Sequence, residues 1–199
     1  MSHYFTDNTN LKQNRREISF RFLGIDYTLL TDDGVFSKDH LDIGTETLLE
    51  SCMDLDIKGS VCDLGCGIGV IGVVLDRNFE VEMTGVDVNA RAVELANINY
   101  RKYDVNGTNI VQDGVSGNFD SIITNPPIRV GKKVLYRLFQ EAHQALKTNG
   151  SLIFVMRKQH GGKSAQAYCA TLFGNCTPIY RDRGFIVYQS IKVFDNKEN

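Results

Sequence analysis

From Ser60 onward the chain alternates short apolar runs with longer amphipathic ones. The apolar runs predict strands over 60–65, 81–87, 108–112, 119–124 and 151–157, and helical spacing predicts helices over 69–77, 89–102, 132–147 and 164–173. Strands separated by helices pair in parallel, so the pattern predicts a doubly wound α/β sheet. Asn89 reads as the cap of the second helix, and the stretch from Lys147 to Gly150 as the stop of the long third one. The end of the chain breaks the alternation: the runs 177–181 and 184–193 are joined only through Asp182-Arg183-Gly184, and so short a connection demands antiparallel pairing.

Upstream of Ser60 the pattern differs. Residues 1–17 are polar and mixed in charge, which predicts a flexible N-terminal arm, with one domain over 18–199. Two half-alternating runs, 18–23 and 26–31, bracket Gly24 and predict a β-hairpin ahead of the main fold. Apolar positions 41, 48, 49, 52 and 53 predict a further helix packed on the sheet.

A chain of 199 residues suffices for one α/β domain with a sizeable core. No apolar run is long enough to span a membrane, and the polar start is not a signal peptide, so a cytoplasmic protein is expected. The five cysteines, Cys52, Cys62, Cys66, Cys169 and Cys176, form no C-x-x-C pair; reduced thiols and no metal site are expected. A net charge of −2 gives no global pull toward nucleic acid. Locally, however, Arg129, Lys132 and Lys133 follow one strand, and Arg157, Lys158 and Lys163 follow another. The carboxyl ends of those strands share one sheet edge, where a basic rim would bind a phosphate backbone.

The chemistry concentrates in three places. Asp63-Leu64-Gly65-Cys66-Gly67-Ile68-Gly69 runs from a strand into a loop with glycine at every second position, where main chain can approach a ligand closely. Asp87 ends the next strand, beside that loop, where a carboxylate accepts both hydroxyls of a ribose. Gly67 to Gly72 also satisfies the dinucleotide fingerprint G-x-G-x-x-G, but Asp63 stands where it would repel a pyrophosphate and suit a cationic amino group. Asn125-Pro126-Pro127 follows the strand 119–124; proline cannot extend a sheet ladder, so the chain turns out at the same edge and presents the Asn125 amide oxygen and the Pro126 carbonyl as acceptors for a planar NH2 group.

These motifs resemble class I S-adenosylmethionine-dependent methyltransferases that modify amino groups. The glycine loop resembles their first motif, and Asn125-Pro126-Pro127 their fourth. Gly34 to Ser37, Leu41 to Thr45 and Asn125 to Lys132 further resemble the bacterial small-subunit rRNA guanine-N2 methyltransferases, most closely their short single-domain relatives. The resemblance implies a mostly parallel, Rossmann-like seven-stranded sheet, and a parallel sheet that ends in a hairpin fits it. It implies S-adenosylmethionine as cofactor, with Asp63, Gly65 and Gly67 at the methionine amino and carboxylate ends, Phe36, Gly44 and Thr45 lining the methionine end, Asp87 on the ribose, and Asp113 on the adenine amino group. Asn125, Pro126 and Pro127 would orient the target amine, Asn125 also touching the cofactor. Ile128 stands where many members carry an aromatic to stack on the target base. Arg129, Lys132, Lys133, Lys158 and Lys163 are candidate phosphate contacts of ribosomal RNA or the small subunit. The resembled enzymes often carry an extra non-catalytic half before the catalytic one, so target recognition here falls to the basic rim, a partner or a homodimer. Two other readings stay open: methylation of a protein glutamine, and a non-catalytic RNA-binding or assembly factor that retains the fold.

Overall fold

The computed structural model describes residues 14–33, 35, 41–127 and 131–193. The arm expected over 1–17 lies outside them as far as residue 13, and its last two residues already belong to a strand. Strands β1 (Arg16–Phe22) and β2 (Ile25–Thr31) form an antiparallel two-stranded sheet of their own. Their turn, Leu23-Gly24, takes positive φ at both residues, 48° and 78°, the geometry that matches strand twist in a two-residue hairpin.

After helix α1 (Ile43–Cys52) the alternation begins: β3 (Gly59–Leu64), α2 (Val70–Asn78), β4 (Val81–Asp87), α3 (Ala90–Lys102), β5 (Gly107–Val111), β6 (Phe119–Thr124), α4 (Gly131–Ala145), β7 (Leu146–Arg157), α5 (Lys163–Phe173), β8 (Thr177–Asp182) and β9 (Phe185–Ile191). Strands β3 to β9 make one seven-stranded sheet in the order β5-β4-β3-β6-β7-β9-β8. All neighbours are parallel except β9, which runs antiparallel to both β7 and β8. The strand order reverses between β3 and β6, and the crevice at such a switch point is where open α/β sheets bind ligands.

The sheet is covered on both faces. Val61, Met83, Ile123, Ile153, Val155 and Val187 pack with α1, α2, α3 and the N-terminal hairpin. Their sequence neighbours Cys62, Ile122, Leu152, Phe154, Met156 and Tyr188 pack with α4 and α5 on the other side. This explains why the strands read as near-continuous apolar runs, since each residue meets a core whichever way it points. Burying a Leu, Ile or Phe side chain contributes roughly 1.5–3 kcal/mol. On the second face Phe139 packs tilted against Phe154, with centroids 4.7 Å apart, and Phe154 stacks on Tyr188 at 5.2 Å, fixing α4 to the sheet.

The hairpin is bound to the main domain through α3. Asn99, fully buried, accepts from Leu30 N–H at 2.8 Å and donates to the carbonyls of Leu30 at 3.0 Å and Ile68 at 2.9 Å. Buried Asp32 meets the Arg91 guanidinium at 2.6 Å. One expectation fails here. The third helix ends at Ala145, not Lys147, and Leu146 already pairs with Phe119 on β6. Asn149 takes φ 65° and donates its N–H to the Lys192 carbonyl at 2.7 Å, while the Gly150 carbonyl accepts from Lys192 N–H at 2.9 Å. An Asn-Gly pair that signals a helix stop serves equally well as an irregularity inside a strand, and that use prevails here. Among the described residues no helix is long and apolar enough to cross a membrane, and no group of three or more His, Cys, Asp or Glu is placed to hold a metal ion.

Candidate functional site

At the carboxyl end of β3 the chain enters the glycine loop. Gly65 and Gly67 hold φ of 81° and 53°, which disfavour any residue with a Cβ, and a Cβ at either would meet nothing within 4 Å. The loop is therefore bare main chain facing open space. The Gly65 and Cys66 N–H groups bond to the Val86 carbonyl at 2.8 and 3.0 Å, which fastens the loop to β4. Asp87 holds it from the other side: Oδ2 accepts from Gly67 N–H at 3.0 Å and Oδ1 from Asn89 N–H at 2.9 Å. Each of its oxygens retains lone-pair capacity for another donor.

Asp63, the last but one residue of β3, is fully buried; no hydrogen bond of good geometry reaches either carboxylate oxygen, and the Gly72 N–H is the one backbone donor near enough to favour its charged form. Burial, with the neighbouring Asp87 carboxylate adding to it, pushes its pKa up to about 8. Burial also raises Asp87. A buried carboxylate so poorly satisfied, just before a bare glycine loop, is a costly arrangement for a core alone, because an unsatisfied buried acceptor forfeits its hydration. It is chemically suited to a ligand bearing a cationic amino group.

β6 ends beside β3. The Thr124 hydroxyl donates to the Leu64 carbonyl at 2.7 Å, clasping the two strand ends together. The next residue, Asn125, has its Nδ2 donating to Asp42 Oδ2 and to Thr45 Oγ1, both at 2.9 Å. Asp42 is the N-cap of α1 and accepts from Thr45 N–H at 3.0 Å.

One open cleft collects Gly65, Asp87, Asp113, Asn125 and Pro127 among its lining. Asp63 is not part of that lining; it precedes Leu64 and Gly65, which are, and is itself fully buried. Gly67 reaches the cleft wall only through its bond to Asp87, and Gly44 and Thr45 stand behind Asn125. Pro126 is buried behind Pro127 in the turn. Asp113 is not free as the sequence suggests: it pairs with the Arg137 guanidinium at 2.6 Å, and Arg137 also meets Glu141 at 2.9 Å. Lys132, Lys133, Lys158 and Lys163 are exposed beyond the adjacent carboxyl ends of β6 and β7. Phe36, Ile128 and Arg129 lie outside the described residues. Sequence reasoning missed Asp42, Thr124, Arg137 and Asn99; only Asp42 carried a signal, an acid three residues before Thr45 at a helix start.

A family profile described as methyltransferase small domain matches residues 26–189. An uncharacterized protein of Bacillus subtilis (strain 168), YbxB, is 36% identical over 200 residues, covering 96% of this chain and 98% of that one. Among solved structures, the T. thermophilus 16S rRNA N2 G1207 methyltransferase RsmC, in complex with AdoMet and guanosine, superposes with a TM-score of 0.80 at 24% identity. That match covers 89% of this chain and 50% of RsmC, so the chain spans half the length of that enzyme. The ribosomal protein L11 methylase of Lactobacillus delbrueckii subsp. bulgaricus superposes with a TM-score of 0.64 at 17% identity, covering 77% of this chain and 83% of that one. Both structural likenesses establish the shared fold.

Proposed function

The chain belongs to the methyltransferase small domain family, and from that premise we propose that it methylates an exocyclic amine, guanine N2 of ribosomal RNA. It is a class I S-adenosylmethionine-dependent methyltransferase, and S-adenosylmethionine is its cofactor. The observation that carries the finer reading is that Asn125 and Pro127 line the same cleft as Gly65 and Asp87. On this reading the amine acceptor and the cofactor loop open on one space. RsmC, bound to AdoMet and guanosine, provides the nucleoside precedent on the same fold.

The residues fit the cofactor. The open main chain at Gly65 and Gly67, which no side chain covers, and the buried Asp63 carboxylate would hold its carboxylate and cationic amino ends, Asp87 the ribose, and Asp113 the adenine amino group, with Phe36, Gly44 and Thr45 toward the methionine end. The cofactor supplies a methyl group activated on a sulfonium. The protein's work is to orient the nucleophile: Asn125 Oδ1 and the Pro126 carbonyl would accept hydrogen bonds from the two amine N–H groups, keeping the nitrogen lone pair aimed at the methyl carbon. The N–C bond would form as the S–C bond breaks, and one amine proton would then leave to solvent. Holding reactants in line supplies much of the rate in such a displacement. Pro127 stiffens the turn, Ile128 would pack on the base, and Arg129, Lys132, Lys133, Lys158 and Lys163 would meet phosphates.

The test is transfer of radiolabelled methyl from S-adenosylmethionine to small subunits, naked rRNA and total protein, followed by nucleoside analysis. Label in N2-methylguanosine is expected; label in protein alone would sink the guanine assignment. Two variants separate the roles. Asp87→Ala should weaken S-adenosylmethionine binding by about tenfold to a hundredfold, the magnitude of a lost hydrogen bond to a charged group of about 1.5–3 kcal/mol. Calorimetry that finds the affinity unchanged removes Asp87 from the ribose site. Replacing Lys132 and Lys133 together by Ala should make the log–log salt dependence of RNA binding shallower by about 1–2, since a phosphate that no lysine neutralises keeps its counterion on binding. An unchanged slope makes them ordinary solvated lysines.

A further inference from the structure

Asn125 can serve as an amine acceptor only if its amide oxygen, and not its amide nitrogen, faces the cleft. An unrestrained asparagine has no such preference, because rotation about its last torsion exchanges two groups of almost equal shape. The fold removes that freedom. Both Nδ2 protons are taken by the start of α1, one by Asp42 Oδ2 and one by Thr45 Oγ1, each at 2.9 Å. A reversed amide would press its oxygen against a carboxylate that has no proton to offer, so only one orientation is stable.

Asp42 is itself immobilised. The same Oδ2 accepts from Thr45 N–H at 3.0 Å as the helix N-cap, and the Thr45 hydroxyl leans toward it at 3.5 Å. Gly44 permits this close approach: a Cβ there would lie 3.0 Å from Asp42 Oδ2, 3.1 Å from the Phe185 ring and 3.3 Å from Asn125 Nδ2.

We propose that Asp42, with Thr45, is a positioning residue for methyl transfer, locking Asn125 with its carbonyl toward the cleft and so selecting nucleophiles that donate N–H. The inference rests on Asn125 being the amine acceptor, and it assigns the orienting of that acceptor to a helix cap more than 80 residues away in sequence.

The test uses variants that keep the cap. Asp42→Ser retains an oxygen for Thr45 N–H but is one bond too short to reach Asn125, whereas Asp42→Asn places an amide oxygen where Oδ2 stood. The first readout needs no substrate: the side-chain 15N–1H pair of Asn125, identified by its loss in Asn125→Ala, should exchange with water at least tenfold faster in Asp42→Ser and return toward wild type in Asp42→Asn. The second is turnover on whichever substrate the labelling identifies. Asp42→Ser should lower kcat at least tenfold without changing KM for S-adenosylmethionine, and should cost nothing further in an Asn125→Ala background. Unchanged exchange in Asp42→Ser, or kcat losses that multiply in the double variant, overturns the proposal. If no substrate is labelled by the wild-type protein, the exchange measurement still decides the locking, and the failure belongs to the amine-transfer reading.

Discussion

Asn125→Ala is expected to lower kcat by about 10²–10³-fold, the loss typical of removing one preorganised hydrogen-bonding group from a reacting centre. The affinity for S-adenosylmethionine should change little, because the loop, Asp63 and Asp87 are untouched. The variant should also fold: Asn125 is half-buried at the end of β6, and its departure leaves Asp42 still capping α1. The Pro126 carbonyl remains, so turnover should be reduced and not abolished. Single-turnover methyl transfer, with calorimetry of the cofactor run beside it, separates the two effects. Wild-type kcat in this variant would remove Asn125 from the acceptor role, and with it the reason for positioning it at all.

Asp63→Asn should act in opposite directions on stability and on binding. In the folded protein the buried carboxyl keeps its proton up to about 8, whereas the unfolded chain releases it near 3.8. Folding therefore takes up a proton between those values. The contribution of this group to stability is fully present below the unfolded value, and it is lost as pH rises through about 8. The decline amounts to about 1.4 kcal/mol per pH unit at most. An amide has no proton to lose, so Asp63→Asn should flatten the dependence of Tm on pH and leave the ligand-free protein more stable than wild type at pH 8–9. Binding moves the other way. A cationic amino group favours the ionised carboxylate, so wild-type protein should release a proton on taking up S-adenosylmethionine below pH 8, and the variant should bind at least tenfold more weakly without that release. Calorimetry in two buffers of different ionisation enthalpy reads the proton directly. Superimposable Tm curves together with equal affinities would place Asp63 among ordinary core residues.

The sheet was legible in the sequence because its strands are buried on both faces and separated by helices with regular spacing. Val61 beside Cys62 and Ile122 beside Ile123 are pairs whose members face opposite cores, and nothing but a doubly covered strand needs both. The glycine loop and the turn at Asn125 were legible because backbone requirements constrain residue type: positive φ at Gly65 and Gly67, and a strand end enforced by proline. What stayed hidden was long-range pairing. No local pattern joins Asp42 to Asn125, Thr124 to the Leu64 carbonyl, or Asp113 to Arg137, since each pair meets only after the sheet is assembled. The stop at Ala145 was hidden for a different reason: Asn149 and Gly150 carry the same local signal whether the chain leaves a helix or detours within a strand.

Asn99 gives the order of synthesis a consequence. It bonds to Leu30, 69 residues earlier in the chain, and to the Ile68 carbonyl inside the glycine loop. A growing polypeptide completes the hairpin and the loop while this shared anchor is still untranslated, and domains acquire structure as their segments emerge. Until α3 is made, Leu30 and Ile68 lack the buried partner that Asn99 supplies to both in the folded protein. A nascent chain halted before Asn99 would thus carry every residue of the glycine motif without the side chain that ties its Ile68 carbonyl to the hairpin.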